Sequence, residues 1–306
     1  MLALSTCWNS HRCLEGQELA VQARQAGFDA IEISHVTKPS LLTGLMQAFD
    51  AGGLRVVSIH APWPVDDETQ LDGPEKEELT SADDALRSRA IARVVKTIEM
   101  AVRFRCDRVI LHGGSVPLTR GSTELEEMAR SGAAYSRAYI DLKLQMVEER
   151  QKLAPAALWR LKDSLTQLLL VAEKHRVHLA LETRHHFELV PCESELVQLL
   201  AEFTNNPWLG AWHDFGHVQR MANLGFTQHE QFLRAIAPRV LGGHVHDVTW
   251  PNEDHQVPFT TNGVDYDRLL PLLPAGIPLV WEMAPNQRRA KLTQARIDWI
   301  NRYGVR

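Results

Sequence analysis

The sequence predicts a single α/β domain, a (β/α)8 TIM barrel that takes up residues 1–306. Short apolar runs alternate with helix-like segments along the whole chain, an order that is typical of a parallel sheet covered by helices. Eight such runs match the strand number of a closed barrel, which usually needs about 250 residues and tolerates insertions. Several of them end on His, Asp or Glu, as expected where barrel strands carry an active site.

The composition is that of a water-soluble protein with a full core. Hydrophobic residues make up 44% of the chain and charged residues 23%, close to the average of globular domains. No apolar run approaches the roughly 20 residues that a membrane-spanning helix needs, and the N-terminus does not resemble a secretory signal. We therefore expect a cytoplasmic protein without a membrane partner.

The net charge and the cysteine content each disfavour certain classes of partner and site. The net charge of −5 disfavours a protein whose affinity rests on neutralising nucleic-acid phosphates, although it does not exclude one. The four cysteines form no CxxC pair, which argues against a disulfide framework and against a structural zinc knuckle. We expect reduced cysteines and a small-molecule partner.

The first half of the chain contains four predicted strands and three predicted helices. Apolar residues at helical intervals define the first helix, and Gly27 ends it. In the second strand, Glu32 faces away from the two isoleucines beside it, because successive strand residues point to opposite faces. The Pro- and Asp-rich segment 61–74 is predicted to be a loop over the barrel mouth. The strands are predicted at 2–8, 28–34, 54–60 and 106–114, and the helices at 15–26, 39–50 and 75–104.

Residues 115–152 form the irregular part of the pattern. They are polar, helical in composition and rich in Arg, Glu and Tyr, and they precede a helix expected at 154–175. We predict a helical insertion between strands four and five, at the barrel mouth. Two interpretations remain open: a lid over the substrate, or a solvated helical hairpin that stiffens the barrel or forms the subunit contact of a homo-oligomer.

The second half of the chain is more regular. Strand alternation places Ala180, Glu182 and Arg184 on one face of the fifth strand. It also places Gly242, His244 and His246 on one face of the seventh. The strands are predicted at 177–184, 208–214, 239–247 and 277–283, and the helices at 193–203, 228–237, 265–273 and 287–302.

Four strand-end residues predict a metal centre. In a barrel these ends meet at one mouth, where several buried carboxylates would repel one another strongly without a cation. A mixture of imidazole and carboxylate donors suits zinc or manganese first, with cobalt, iron and magnesium as alternatives. We therefore expect a divalent metal ion as the cofactor. The four residues are Glu182, Asp214, His244 and Glu282.

Further polar residues lie at or near the same strand ends. Each can bind a second metal ion or a substrate oxygen, and a lone strand-end histidine is often only a hydrogen-bonded structural group. His213 points away from Asp214 on its strand and is expected to be structural. The chain lacks the G-x-S-x-G nucleophile elbow, the phosphate loop and the H-E-x-x-H helix. The further candidates are His60, His112, Arg184, His217, His246 and His255.

These residues together resemble one known group of proteins. The chain is similar to the xylose-isomerase-like TIM barrels, a superfamily of sugar isomerases and epimerases that also contains endonuclease IV. The resemblance covers nearly the whole chain. It rests on the order of His60, His112, Glu182, the DFGH motif at 214–217, the HVHD motif at 244–247 and Glu282.

The resemblance implies a function and a role for individual residues. In the sugar epimerases of the superfamily, one divalent ion is held by the residues that match Glu182, Asp214, His244 and Glu282. The two matching glutamates also serve as acid and base, and the residues that match His217 and Arg184 contact the substrate. We therefore expect a metal-dependent isomerase or epimerase that acts on a sugar, a sugar phosphate or a hydroxycarbonyl compound through an enediolate.

Two other functions stay open. Endonuclease IV, which cleaves phosphodiester bonds at abasic sites, has additional metal-binding histidines that match His60 and His112. Its third metal requires a D-x-H motif after strand seven, whereas this chain has Asp254 directly next to His255. The last alternative is a barrel that binds metal without turnover.

Overall fold

Eight parallel strands close into a barrel, as the sequence predicts. The structure is a computed structural model that describes residues 1–65 and 78–304. Each strand pairs with the next one along the chain, and the last strand closes the sheet on the first. The strands are β1 (Leu2–Ser5), β2 (Ala30–Ile33), β3 (Arg55–His60), β4 (Arg108–Leu111), β5 (His178–Glu182), β6 (Leu209–Asp214), β7 (Val240–Val245) and β8 (Leu279–Trp281).

Helices surround the barrel and link its strands. Residues 78–83, predicted to be part of the third helix, are not helical, and that helix starts only after its cap residue Asp83. Residues 66–77, which include most of the predicted mouth loop at 61–74, lie outside the described part of the chain. No helix within the described ranges is long and apolar enough to cross a membrane. The helices are α1 (Gly16–Gln25), α2 (Leu42–Asp50), α3 (Asp84–Arg103), α4 (Ser122–Arg130), α5 (Arg137–His175), α6 (Glu193–Glu202), α7 (Phe215–Asn223), α8 (His229–Ile236), α9 (Tyr266–Leu269) and α10 (Arg289–Tyr303).

The region between β4 and β5 differs from the prediction. The sequence predicts a separate helix from residue 154, but α5 continues without a break through Pro155, a residue that usually weakens a helix interior. The second half of α5 packs on the barrel through residues such as Leu161 and Leu165. Because extending a formed helix is easier than starting a new one, the packed half supports the polar half that precedes it.

Small side chains and one tryptophan fill the inside of the barrel. Gly242 leaves room for the indole of Trp212, because a Cβ at this position would overlap the ring. The indole lies 5.4 Å from the imidazole of His244, measured between ring centroids. This packed floor supports the strand ends above it. The inner layer consists of Ala3, Ala30, Val57, Ile110, Ala180, Trp212 and Val280.

Candidate metal centre

The four predicted metal ligands meet at the C-terminal mouth of the barrel. Asp214 and His244 are paired neighbours on β6 and β7, while Glu182 ends β5 and Glu282 directly follows β8. One donor atom from each residue lies within 4.8 Å of a donor atom of every other member, and all four residues are buried. Their role as ligands stays a prediction, and the proximity that a shared ion requires is present.

The DFGH motif shapes this group because Asp214 is the N-cap residue of α7. Its side chain accepts a hydrogen bond of 2.7 Å from the amide of His217, three residues further on. The Asp-x-x-His spacing is therefore that of a helix cap, which fixes the carboxylate and starts the helix that carries His217. Gly216 is needed between them, because a Cβ there would overlap the imidazole of His246.

The hydrogen bonds of His244 indicate which of its nitrogens can bind a metal. Nε2 lies 3.0 and 3.1 Å from the two carboxylate oxygens of Glu32. Because a carboxylate only accepts hydrogen bonds, Nε2 carries a proton. The other nitrogen, Nδ1, lies 2.8 Å from an oxygen of Glu182 and 3.4 Å from oxygens of Asp214 and Glu282. One imidazole nitrogen and three carboxylates thus converge.

This set of donors fits a divalent cation. Two carboxylates 4 Å apart repel each other by about 4 kcal/mol at an effective dielectric constant of 20, and three of them converge in this group. Because Nε2 of His244 is already protonated toward Glu32, Nδ1 faces the same oxygens through either a second proton or a bound cation. A divalent cation bound by all four residues relieves the repulsion between the carboxylates more fully than a single proton does. Oxygen and imidazole donors together suit zinc and manganese.

The pKa values of three of the predicted ligands also indicate that the site is strongly negative. Burial alone would raise the pKa of Glu182, but hydrogen bonds from three histidines lower it well below its usual value. Neighbouring imidazoles likewise outweigh burial at Asp214 and lower its pKa. Burial would lower the pKa of His244, yet the surrounding carboxylates, first Glu282, raise it well above its usual value. Glu182 and Asp214 are therefore ionised at neutral pH and attract positive charge strongly.

A second group of donors shares Glu182 with the first. His60, His112 and Glu182 offer donor atoms within 4.8 Å of one another. His60 donates the proton on Nδ1 to the carbonyl of Ala61 at 3.0 Å, and its Nε2 lies 3.2 Å from Glu182 Oε2. Nε2 of His112 lies 2.7 Å from the same oxygen. Glu182 can therefore bridge two cations.

A third group contains His217, His246 and His255. The carbonyls of Thr183 and Glu282 accept protons from Nδ1 of His217 and of His255, at 3.1 and 2.9 Å. Both Nε2 atoms are thereby left with a lone pair for a ligand. Burial lowers the pKa of His217 to about 3, so its imidazole is neutral at physiological pH.

His246 differs from the other two because both of its ring nitrogens have partners. Nε2 lies 2.9 Å from Asp214, and Nδ1 accepts the backbone N–H of His255 at 2.9 Å. Burial would lower the pKa of His246, but Asp214 raises it to about 9. A proton on Nδ1 would nevertheless face the amide hydrogen of His255, so we assign the neutral form with Nε2 protonated. In this form His246 orients Asp214 and has no lone pair left for a metal.

The remaining predicted residues lie around these groups. Arg184 is 3.3 Å from Glu182, at the edge of the first group. Asp254 lies 4.0 Å from Nε2 of His255, and its other carboxylate oxygen accepts a hydrogen bond from Arg220. His213 points into the helix layer, where its Nε2 is 3.0 Å from Nε2 of His229 on α8, and it belongs to none of the three groups.

The sequence of this chain matches one known protein family. Residues 20–303 match the family described as the xylose isomerase-like TIM barrel. The chain belongs to this family. No curated protein matches the sequence.

Solved structures of similar fold are distant in sequence from this xylose isomerase-like barrel. An L-ribulose 3-epimerase is 18% identical with a TM-score of 0.66, over 97% of this chain and 92% of the epimerase. The IOLI protein with a bound zinc atom is 14% identical with a TM-score of 0.67, over 99% and 98%. The probable 3-DHS dehydratase AsbF of Bacillus anthracis is 13% identical with a TM-score of 0.63, over 98% of each chain. At these identities the likeness establishes the fold alone.

The sequence assigns no role to two buried acids of this xylose isomerase-like barrel. Glu32 on β2 contacts His244 on β7, and only its position opposite the isoleucines of β2 distinguishes it in the sequence. Asp247, the last residue of the HVHD motif, fixes the loop that follows β7. Its carboxylate accepts five backbone N–H groups, those of Val248, Thr261, Asn262, Gly263 and Val264.

Proposed function

We propose that the protein is a divalent-metal-dependent isomerase or epimerase. Its substrate is a small sugar, a sugar phosphate or another hydroxycarbonyl compound, and the reaction passes through an enediolate. The observation that carries the proposal is the convergence of Glu182, Asp214, Glu282 and His244 Nδ1 within 4.8 Å of one another. Sugar epimerases among the proteins of similar fold support the proposal.

In this proposal Glu182, Asp214, His244 and Glu282 hold the ion. An ion bound there would balance the charge of the carboxylates and stabilise the negative charge that develops on adjacent substrate oxygens. Proton transfer and substrate contacts are assigned to side chains of the protein.

Glu282 is the better candidate for the base that removes a proton from carbon. Its oxygen is 3.4 Å from His244 and 3.9 Å from His255, whereas Glu182 is within 3.3 Å of four groups, including His112 and Arg184. A carboxylate with fewer hydrogen-bond donors around it has more lone pairs open to the substrate. Glu182 is the second member of the acid/base pair: it takes up a proton from water and delivers it to the enediolate, and Glu282 releases the proton that it removed to water before the next turnover.

His217 and Arg184 complete the proposed site as substrate contacts. His217 has a proton-free Nε2 that can accept a hydrogen bond from a substrate hydroxyl. The guanidinium of Arg184 has several N–H groups, of which one faces Glu182. The others can donate to a phosphate or carbonyl oxygen.

The test is proton exchange in deuterium oxide. Protein loaded with Mn²⁺ or Zn²⁺ is incubated with ketoses, aldoses and their phosphates, and proton NMR follows the C–H beside the carbonyl. We expect exchange on at least one substrate and a rate lower by about 10²-fold or more for Glu282→Gln. Glu124→Gln, an exposed change on α4, is the control. Exchange by Glu282→Gln at the wild-type rate would refute the role of Glu282.

A second candidate function is phosphodiester hydrolysis of the endonuclease IV type. The observation that favours it is a second donor group that shares Glu182 with the first, together with the proton-free Nε2 atoms of His217 and His255. Such an arrangement suits several ions acting on one phosphate. The net charge of −5 counts against nucleic acid as the substrate.

Metal counting separates the two candidates. One ion per chain, together with no cleavage of an abasic duplex, would support the isomerase. Two or three ions per chain, with incision that is lost in His60→Ala, would favour the hydrolase. Metal binding with neither proton exchange nor incision would leave a barrel without turnover.

A further inference from the structure

Glu32 lies across the barrel mouth from the predicted ligands and is fully buried. It sits on β2, whereas its main partner, His244, sits on β7. Both carboxylate oxygens approach His244 Nε2, at 3.1 and 3.0 Å. One oxygen also accepts from the hydroxyl of Ser5 at 3.0 Å and the other from that of Ser58 at 2.8 Å. Three elements of the barrel wall therefore hold this carboxylate in one orientation.

We infer that Glu32 is a positioning residue for the metal centre. It holds the proton of His244 on Nε2 and thereby turns the lone pair of Nδ1 toward Glu182, Asp214 and Glu282. A carboxylate behind a metal-binding imidazole also makes the nitrogen that faces the metal more basic. The inference rests on the proposed metal centre, to which it adds a residue that is not a ligand.

The carboxylate of Glu32 is buried, and its negative charge needs a compensating positive charge. Burying a carboxylate is costly unless a positive charge compensates it. Within residues 1–65 and 78–304, its hydrogen-bond and ion-pair partners are two serine hydroxyls and His244, and none is a lysine or arginine. A glutamine could accept the proton of Nε2 and bond both serines. The carboxylate is therefore specifically suited to an imidazole that carries positive charge or binds a cation on its other nitrogen.

The test compares metal affinity between two Glu→Gln variants. Mn²⁺ and Zn²⁺ binding is measured by competition with a fluorescent chelator for the wild type, for Glu32→Gln and for Glu195→Gln. Only 12% of the Glu195 side chain is exposed, and its ion-pair partner is Arg150. We expect Kd to rise by about 10- to 100-fold in Glu32→Gln and to stay at the wild-type value in Glu195→Gln.

Each result decides between the inference and the metal centre. Because the amide of Glu32→Gln can still accept the proton of Nε2, wild-type affinity in this variant would overturn the role given to the charge of Glu32 and leave the metal centre intact. A wild type that binds neither metal would overturn both. Circular dichroism of the metal-free variant checks its fold.

The protonation of His244 can also be measured in the wild type, where no variant has to fold. Nitrogen-15 NMR of histidine-labelled, Zn²⁺-loaded protein distinguishes the two ring nitrogens of His244. We expect a protonated Nε2 and a zinc-bound Nδ1. Zinc on Nε2, with the proton on Nδ1, would overturn the inference.

Discussion

Single residues behind the predicted ligands control the geometry of the metal centre. Asp214 is held by the amide of His217 and by Nε2 of His246. The amide of His255 in turn donates a hydrogen bond to His246. The imidazole of His246 packs so closely on Gly216 that a Cβ at position 216 would overlap it. A change at Gly216 therefore reaches the predicted ligand Asp214 through the imidazole of His246 and its one hydrogen bond to that carboxylate.

We predict that Gly216→Ala weakens metal binding by about 10-fold or more. The added methyl group displaces the imidazole of His246, and Asp214 loses the donor that orients it. The same overlap should lower the free energy of unfolding of the metal-free protein by about 1–3 kcal/mol. Chelator competition and urea unfolding measure the two effects. An unchanged Kd would contradict the role given to His246.

Glu193, which lies outside the candidate metal centre, is expected to make the stability of the protein depend on pH. One oxygen of its carboxyl group is enclosed and has no hydrogen-bond partner among the described residues. Burial raises the pKa of Glu193 to about 7, above the value of about 4.3 in an unfolded chain. The native state therefore holds this proton more tightly, and its contribution to stability declines as the pH rises from about 4 to about 7.

Glu193→Gln should remove this decline. We expect the variant to be more stable than the wild type at pH 8 by about 1–2 kcal/mol, less than the full shift implies because the helix N-terminus favours a negative charge. Below pH 4 the two should be equally stable. Urea unfolding across this pH range measures the difference, with the exposed Glu202→Gln on the same helix as the control. Parallel profiles for wild type and Glu193→Gln would contradict the assignment.

Strand-end residues were predictable from the sequence, whereas their supporting partners were not. Asp214 and His244 end or approach the end of apolar runs, and a barrel brings all such ends together. The partnership of Glu32 with His244 depends on which strands face each other across the closed barrel. The bond from the amide of His255 to His246 depends on the loop after β7, in which Asp247 binds five amides. Neither arrangement has a local sequence signal.

At the scale of elements, α4 is bound to the barrel mouth by a buried ionic network. Glu126 on α4 accepts hydrogen bonds from Arg220 on α7 and from Asn252. Glu188 accepts from the amide and hydroxyl of Ser122, the first residue of α4. Because Arg220 also donates to Asp254, this network joins α4 to the segment that carries His255. We propose that α4 belongs to a lid over the substrate.

Glu126→Gln should loosen α4 without unfolding the barrel. Removing the charge weakens a buried ion pair and leaves Arg220 partly uncompensated, at a cost of about 1–3 kcal/mol. Amide hydrogen exchange should become faster in α4 and stay unchanged in β4–β8. The control is Glu124→Gln on the same helix, whose exposed pair with Arg120 contributes little. Equal exchange in the two variants would contradict the network.

The length of α5 shows where local sequence signals stop being sufficient. A proline near the first turn is a usual sign of a helix start, and Pro155 fits the predicted start at residue 154. The structure places this proline inside a helix of 39 residues. The packing of Leu161 and Leu165 against the barrel, which stabilises the helix as a whole, appears only in three dimensions.

At the scale of the molecule, barrel closure turns scattered residues into one site. Glu32 and Glu282 are separated by most of the chain, yet both contact His244. Four carboxylates, of Glu32, Glu182, Asp214 and Glu282, surround this imidazole, so we expect the folded state to bind a divalent ion far better than an unfolded chain does. Metal binding is therefore expected to stabilise the whole barrel.

We predict that Mn²⁺ or Zn²⁺ raises the Tm of chelator-treated protein by several degrees. At a metal concentration of 1,000 times Kd, binding adds about 4 kcal/mol to the free energy of unfolding. Asp214→Asn should lose most of this increase, because it removes one charged ligand. Differential scanning calorimetry measures both proteins with and without metal. A wild-type Tm that does not respond to metal would contradict the link between binding and stability.

Anomalous X-ray diffraction from crystals soaked in Mn²⁺ shows whether a cation binds among the four predicted ligands. The proposed metal centre predicts an anomalous peak within coordination distance of Glu182, Asp214, Glu282 and His244 Nδ1. A saturated crystal with no peak there, or with peaks only at exposed carboxylates elsewhere, would contradict it.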